Sequence, residues 1–577
     1  MDKMIIYQVL PRLWGKGKFS EFDQETFDYF ISLGISHIWY TGVIRHATTM
    51  SADGCPASDS QIVKGAAGSP YAITDYYDVN PYLADDPSER MSEFEALLKR
   101  SKEAGLKVLI DFVPNHVSRD YGKVGLVRDD VRPLGADDDP TVHWRAENDF
   151  YYYPGQPLRL PFENQTYYEN PAKASGNCFS PSPSTGDWYE TIRLNYCDFH
   201  TDTWDKMYEI VRFWCGKGVD GFRCDMVEMV PWQFFRWMIG KIKAEFPDVV
   251  FIAEVYQKEL YAKYINEVGF DFLYDKSGFY DSVRSVVEGH GTAKSLTWNW
   301  QFLGGLQPRM LNFLENHDEQ RFASDFFGGR ADRTFAALGA GIFLNSAPFM
   351  VYFGEEIGER GMDAEGFSGR DGRTTIFDWW KIPSIGRLIE YIHKNHGLTA
   401  EESALLRKWR EFLNMAAMVP AVACGRTFDL CYCNYGSPGF DPDRHFAFLR
   451  SDGEELWLFV CDFGDGRALR QAQRPVETLS DGRALRQVGV VRQAHQPTEP
   501  QSDGWALRQA QRPAEPQRPE NSDTEPVEVS NRQETEKLSI LIPKEAFDYF
   551  GVKNNPDTEA RIEVEVSLDD CAFVRLK

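Results

Sequence analysis

No stretch of the 577-residue sequence approaches the ~20 consecutive apolar residues of a membrane-spanning helix, so no membrane partner is expected. The ten cysteines show no paired metal spacing. Cys431-Tyr-Cys433 is too close for a zinc knuckle and lies in a strand-like run. Reduced, buried thiols are therefore expected. Positive charge is in deficit, with 63 Lys and Arg against 87 Asp and Glu and a net charge of −24. That balance argues against nucleic acid or an anionic surface as the main partner and leaves a neutral ligand open. The segment Met1–Leu10 runs straight into a strand-like stretch. It has no basic region followed by a long apolar run and a small-residue cleavage site, so a cytoplasmic protein is expected. Aromatic residues, in contrast, are plentiful: 15 Trp, 26 Tyr and 40 Phe. Most belong to the core, and flat rings are available beyond it.

The length calls for two or three domains. Short apolar runs recur at Ile5–Val9, Ser36–Tyr40, Lys107–Val113, Val219–Cys224, Val249–Ala253, Phe270–Tyr274, Met310–Leu314 and Phe349–Phe353. Helix-like stretches lie between them. Glu25–Leu33 is followed by Gly34 and Ser92–Ala104 by Gly105, each glycine suited to a helix end. Eight strands alternating with helices predict an α/β fold, a (β/α)8 barrel, over residues 1–116 and 200–420.

Residues 117–199 break this rhythm with Asp, Pro, Asn, Gly and aromatic clusters such as Asp149-Phe-Tyr-Tyr-Tyr-Pro154. A structureless loop of that length is implausible in a compact domain, so an inserted subdomain after the third strand is expected. Its Trp144, Tyr151–Tyr153 and Trp188 are read as subdomain core before groove lining. After the helix-like Ser403–Met418 and Pro420, the apolar period shifts towards two. The runs Arg444–Leu449, Glu455–Cys461, Lys537–Ile542, Arg561–Val566 and Cys571–Leu576 predict an antiparallel β-sandwich domain over 421–577. Residues 464–533 interrupt it. There Asp465–Pro475 nearly recurs at Asp503–Pro513 in a Gln, Arg, Pro and Glu-rich setting. This reads as a low-complexity, disordered insertion, with an ordered strand resuming near Glu525–Val529. Its arginines are interspersed with glutamates and prolines and lack an aromatic ladder, so RNA is not the expected partner.

The run Gly221-Phe-Arg-Cys-Asp225 ends a strand in an arginine and a carboxylate two residues apart, which alternation places on one side. A fixed guanidinium favours the ionised carboxylate, the state a covalent nucleophile needs. Alone, the pair also fits a structural ion pair. Three further strand ends carry polar clusters: Asp111-Phe-Val-Pro-Asn-His116, Phe251-Ile-Ala-Glu254 and Leu314-Glu-Asn-His-Asp318. Polar groups converging at the C-terminal ends of barrel strands mark an active site.

In order and spacing, these four segments resemble the signature regions of the α-amylase family, glycoside hydrolase family 13. The resemblance implies that Asp225 is the nucleophile, Glu254 the acid and base, and Asp318 a binder of sugar hydroxyls that helps to distort the ring. It implies that Arg223 holds Asp225 and that His116 and His317 donate to the sugar. Gly68–Tyr76 resembles the loop after the second strand, where Tyr71 would stack on the sugar and Asp75 support the site, both counted among the substrate-binding residues. Tyr352–Glu356 resembles the end of the eighth strand. A retaining reaction would set the carboxyls of Asp225 and Glu254 about 5–5.5 Å apart.

Two departures stand out. Where many family members carry a Lys-His pair, this chain has Glu228 and Met229, so recognition of the leaving group differs. Asn115 matches a calcium ligand of the family, but Tyr196 stands where a ligating Asp is usual. No cofactor is expected to be required. Calcium would bind only if Asp137–Asp139 or Asp198 rebuilt the ligand set, since the ion wants six to eight oxygens. The expected partner is an oligosaccharide. The leading expectation is a retaining hydrolase of α-1,4-linked maltodextrins. A glucanotransferase or a sucrose- or trehalose-active relative is the alternative within the family. A non-catalytic scaffold is the alternative outside enzymes, disfavoured because all three acids are present.

Overall fold

The computed structural model describes residues 3–52, 54–123, 127–128, 130–364, 369–464, 535–552 and 559–577. Eight strands form a closed parallel barrel: β1 (Ile5–Val9), β2 (His37–Tyr40), β3 (Lys107–Phe112), β4 (Gly221–Cys224), β5 (Val250–Ala253), β6 (Phe272–Tyr274), β7 (Met310–Phe313) and β8 (Phe349–Tyr352). Each pairs with its neighbour in sequence, and β8 closes on β1. Both faces of these strands are covered, which is why they read as continuous apolar runs and not as alternating ones.

The helices between strands start and stop where local chemistry dictates. In α1 (Gln24–Ser32) the Asp23 carboxylate accepts from Thr26 N at 3.0 Å, and the chain leaves through Gly34 at φ 76°. α2 (Arg90–Glu103) leads into β3. α3 (Asp202–Lys217) ends on Gly218 at φ 97°, which turns the chain into β4. α4 (Trp232–Glu245) leads into β5. α5 (Thr334–Phe343) is apolar on every side, and all ten of its residues are buried. It lies between the barrel and the C-terminal domain, with the ring of Phe343 tilted against that of Phe459 at 4.8 Å. A Cβ at Gly339 would lie 2.5 Å from the Cβ of Cys571, so only glycine permits this approach. α6 (Ala400–Met418) opens with a capping box between Thr399 and Glu402.

Between β3 and β4 the chain forms small two-stranded pairs, His116–Ser118 with Thr191–Arg193 and Tyr152–Tyr153 with Ala172–Lys173. They enclose a minor core of Ile62, Leu158, Leu160, Tyr167 and Ala172. Arg119 staples this region from inside, donating to Glu169 Oε1 at 2.7 Å and Ser175 Oγ at 2.9 Å.

The C-terminal region holds a four-stranded antiparallel sheet in the order β9 (Arg426–Asp429), β10 (His445–Ser451), β11 (Leu456–Asp462) and β14 (Asp570–Arg575). A second pair, β12 (Thr535–Ile542) and β13 (Ala560–Ser567), packs against it. Its core is continuous with that of the barrel through α5, so the two are not independent hydrophobic units. Cys431–Asn434 is a short helix, contrary to the strand expected there; the Asp429 carboxylate accepts from Cys431 N at 2.8 Å and starts the turn. The expected disordered segment and the strand near Glu525–Val529 lie outside the described residues. Arg444 joins the segment's two flanks, 3.0 Å from Asp462 and 2.8 Å from Glu536.

Candidate active site

Strand register sets the depth of the site. Cys224 pairs with Ala253, so Asp225 and Glu254 each stand one residue beyond the last paired position of β4 and β5. Asp225 N donates to Phe112 O at 2.9 Å and Glu254 N to Cys224 O at 3.1 Å, which fixes where both side chains depart. Arg223 lies level with Asp111 on β3.

One guanidinium organises the cluster. Arg223 Nη1 donates to Asp225 Oδ1 at 2.6 Å, and Nη2 lies 2.9 Å from Glu254 Oε1 and 4.0 Å from Asp318 Oδ2. It is 1% exposed, with the rings of Trp39, Tyr71 and Tyr274 at 5.7, 5.4 and 5.7 Å. Flat walls and a fixed fork hold three carboxylates from β4, β5 and the end of β7 around a single cation. Burial pushes the Asp225 carboxyl above its ordinary value, while Arg223 acts against that rise. Glu254 is raised in the same way, with Asp225 and Asp318 adding to it. Asp318 keeps 31% of its side chain exposed and is pushed up to about 6. With one cation among three acids, the group titrates as a unit, and a proton is retained towards neutrality.

His317 is held in one tautomer. The Gln8 amide donates to its Nδ1 at 2.8 Å, so Nε2 carries the proton, 3.2 Å from Asp318 Oδ2 and 2.5 Å from Tyr71 OH. Burial and the neighbouring Arg223 keep the ring neutral. Tyr71 stacks on it with ring centres 5.5 Å apart and donates to Asp111 Oδ1 at 3.4 Å. Arg223, Asp225, Glu254, Asp318, His317 and Tyr71 thus form one connected cluster. His116 lies at its edge, against Trp188 at 5.1 Å, its pKa lowered by burial to about 4. Trp144 stays half exposed and donates to Asn195 instead.

Asp75 stands apart, which corrects its expected place among sugar-binding residues. It is 0% exposed, and its oxygens accept from Tyr77 N at 2.9 Å and Val127 N at 2.7 Å. With both oxygens committed to backbone amides, it braces the loop after β2 against the insertion. Glu356, expected near the end of β8, accepts from Tyr7 and Tyr29 inside the barrel wall.

Four contributors went unassigned at the level of sequence. Gln8 is the lone polar residue of the apolar run β1, a signal in plain view. Asp111 sits in a noted cluster; burial pushes it up to about 7, with Arg223 opposing. Tyr256, two residues past Glu254, donates to Glu254 Oε1 at 2.6 Å. Met226 adopts φ 43°, a left-handed backbone, and its N–H reaches Glu254 Oε2 at 2.9 Å. Nothing in the sequence announces that conformation at a non-glycine residue.

The residues about Asn115 do not fit a calcium ion. The Asn115 amide and Arg193 Nη1 both donate to Gly176 O, at 3.0 and 3.1 Å. Tyr196 donates to Pro114 O, and Lys206 pairs with Asp149 at 2.6 Å. Asp138 accepts from the amides of Asp149 and Phe150, and Asp137 pairs with Arg132. These oxygens are taken by N–H and O–H donors, three of them on the cationic side chains Arg193, Lys206 and Arg132.

Comparison with known proteins identifies the family and the fold. A family model described as "Alpha amylase, catalytic domain" matches residues 24–406. The chain belongs to the alpha-amylase family. Alpha-amylase 3 of Dictyoglomus thermophilum is 26% identical over 381 residues, 62% of this chain and 64% of that protein. An alpha-1,4-glucan:maltose-1-phosphate maltosyltransferase of Picrophilus torridus is 26% identical over 278 residues, covering 46% of this chain and 35% of its own length. The chain therefore spans less than two thirds of these relatives. Among solved structures, maltogenic alpha-amylase AmyB of Thermotoga neapolitana superposes with a TM-score of 0.55 at 18% identity, over 99% of this chain and 96% of its own. The family and the (β/α)8 barrel with its C-terminal antiparallel sheet stand together. No described helix is long and apolar enough to cross a membrane.

Proposed function

We propose that the protein is a retaining glycosidase that hydrolyses α-1,4 bonds of maltodextrins in the cytoplasm. The observation that carries this reading is the sharing of Arg223 by Asp225 and Glu254, with Asp318 at 4.0 Å. Asp225 attacks the anomeric carbon as the bond to the leaving oxygen breaks. Glu254 gives that oxygen its proton. Glu254, now ionised, takes a proton from water, which displaces Asp225 and releases the sugar. Asp318 and the Nε2–H of His317 bind hydroxyls of the same ring, with Tyr71 as its stacking platform. His116 borders this subsite, and no metal takes part in these steps.

The decisive test is product analysis on linear, branched and 1,6-linked glucans, with the anomer of the first product read by NMR. Release of α-anomeric maltooligosaccharides from maltoheptaose supports the reading, and failure to cleave or transfer at any pH refutes it. Transfer to a sugar acceptor is the second reading, favoured by the maltosyltransferase among the relatives and by Glu228 and Met229 where leaving-group contacts are expected. Adding glucose separates the two, because a transferase lengthens it and a hydrolase does not.

A further inference from the structure

We propose that Tyr256 is a positioning residue that decides which oxygen of Glu254 carries the catalytic proton, and that Glu228 holds Tyr256 in place. This rests on the reading of Glu254 as the proton donor. Two donors meet at Glu254 Oε1: the Tyr256 hydroxyl at 2.6 Å and Arg223 Nη2 at 2.9 Å. A guanidinium has no acceptor, and burial beside Glu254 pushes the Tyr256 phenol well above its ordinary value, so the hydroxyl keeps its proton and donates it to Oε1. A proton placed on Oε1 would face the guanidinium, which cannot accept it, and would force the phenol to give up its donation to Oε1 and turn acceptor. Oε2 receives only the backbone N–H of Met226 at 2.9 Å among the described contacts. The acid form therefore protonates at Oε2, and that oxygen is the one to deliver the proton.

Tyr256 is fixed from behind. Glu228 Oε2 accepts from Tyr256 N and Glu228 Oε1 from Gln257 N, each at 3.0 Å. Glu228 belongs to the short turn Val227–Met229 that follows Asp225. The loops after β4 and β5 thus clasp each other twice, once through Met226 and Glu254 and once through Glu228 and the two amides. Both Glu228 oxygens are committed to that clasp, and this is what the residue does in place of meeting the leaving sugar.

The experiment compares two substrates in the full chain. Maltoheptaose needs a proton on its leaving oxygen, whereas maltosyl fluoride expels fluoride as the bond to Asp225 forms and needs none. For Tyr256→Phe, kcat/KM on maltoheptaose should fall about tenfold while that on the fluoride stays within about twofold. Glu228→Gln, which leaves one amide without its acceptor, should show a smaller loss with the same selectivity. Equal losses on both substrates, or none on either, would overturn the assignment. A wild-type protein that turns over neither substrate would instead sink the glycosidase reading itself.

Discussion

Arg223 Nη1 meets Asp225 Oδ1 at 2.6 Å inside a site where Asp225 is only 6% exposed. An amide in place of that carboxylate keeps the shape and a contact to the guanidinium while removing the proposed nucleophile. Asp225→Asn should lower kcat by about 10⁴-fold or more and leave maltoheptaose affinity within about fivefold, read by calorimetry beside the kinetics. Activity equal to the wild type would show that another group attacks.

Among the described residues, the same guanidinium is the one cation within 4.0 Å of all three acids. Arg223→Met fills similar space without charge, so the buried Asp225 and Glu254 and the partly exposed Asp318 lose their partner, at a cost of about 3–5 kcal/mol. Carboxylates raised in the fold bind protons that the unfolded chain has released, so their contribution to stability falls as pH rises. Removing Arg223 raises them further. The loss of Tm should therefore be larger at pH 8 than at pH 5, by scanning calorimetry. Equal losses at both would mean that Arg223 acts by packing alone.

Asp111 isolates the same linkage in one residue. Its folded value of about 7 lies above the unfolded 3.8, so between those values the fold keeps a proton that the unfolded chain gives up. The wild type loses stability across that window, and Asp111→Asn has no proton to keep. Relative to wild type, the variant should gain Tm at pH 8 and gain least at pH 4. The reverse order would show that Asp111 is ionised in the fold and held by Arg223.

Arg193 bridges Gly176 O in the insertion and Met229 O beyond β4, at 3.1 and 3.2 Å, and Lys206 neutralises Asp149. These internal cations tie the insertion to the barrel without an ion. Millimolar EDTA should leave activity and Tm unchanged, and Arg193→Ala should lower Tm by several degrees. A chelator-induced fall in Tm restored by calcium would contradict this arrangement.

The apolar runs of the barrel were legible because parallel strands buried on both faces must be apolar throughout, and the strand-end clusters because they break those runs. Cys431–Asn434 was misread because a capping carboxylate two residues upstream, Asp429, outweighs four residues of alternation. Asp75 was misplaced because a carboxylate near a site and a carboxylate bracing a loop look alike until the two amides that fill it, Tyr77 N and Val127 N, are known.

The order of residues by itself determined the barrel, the inserted region and the β-rich C-terminal part, since those follow from period and burial along the chain, and it marked the strand-end clusters from which the family resemblance picks the three proposed acids. The tertiary structure alone decided that one guanidinium serves Asp225 and Glu254 together, that Met226 turns left-handed to reach Glu254, and that Glu228 clasps the neighbouring loop. Each of these is a contact between separate staves of the barrel. Their distances are set by the closure and register of the whole sheet, which no local run of residues contains.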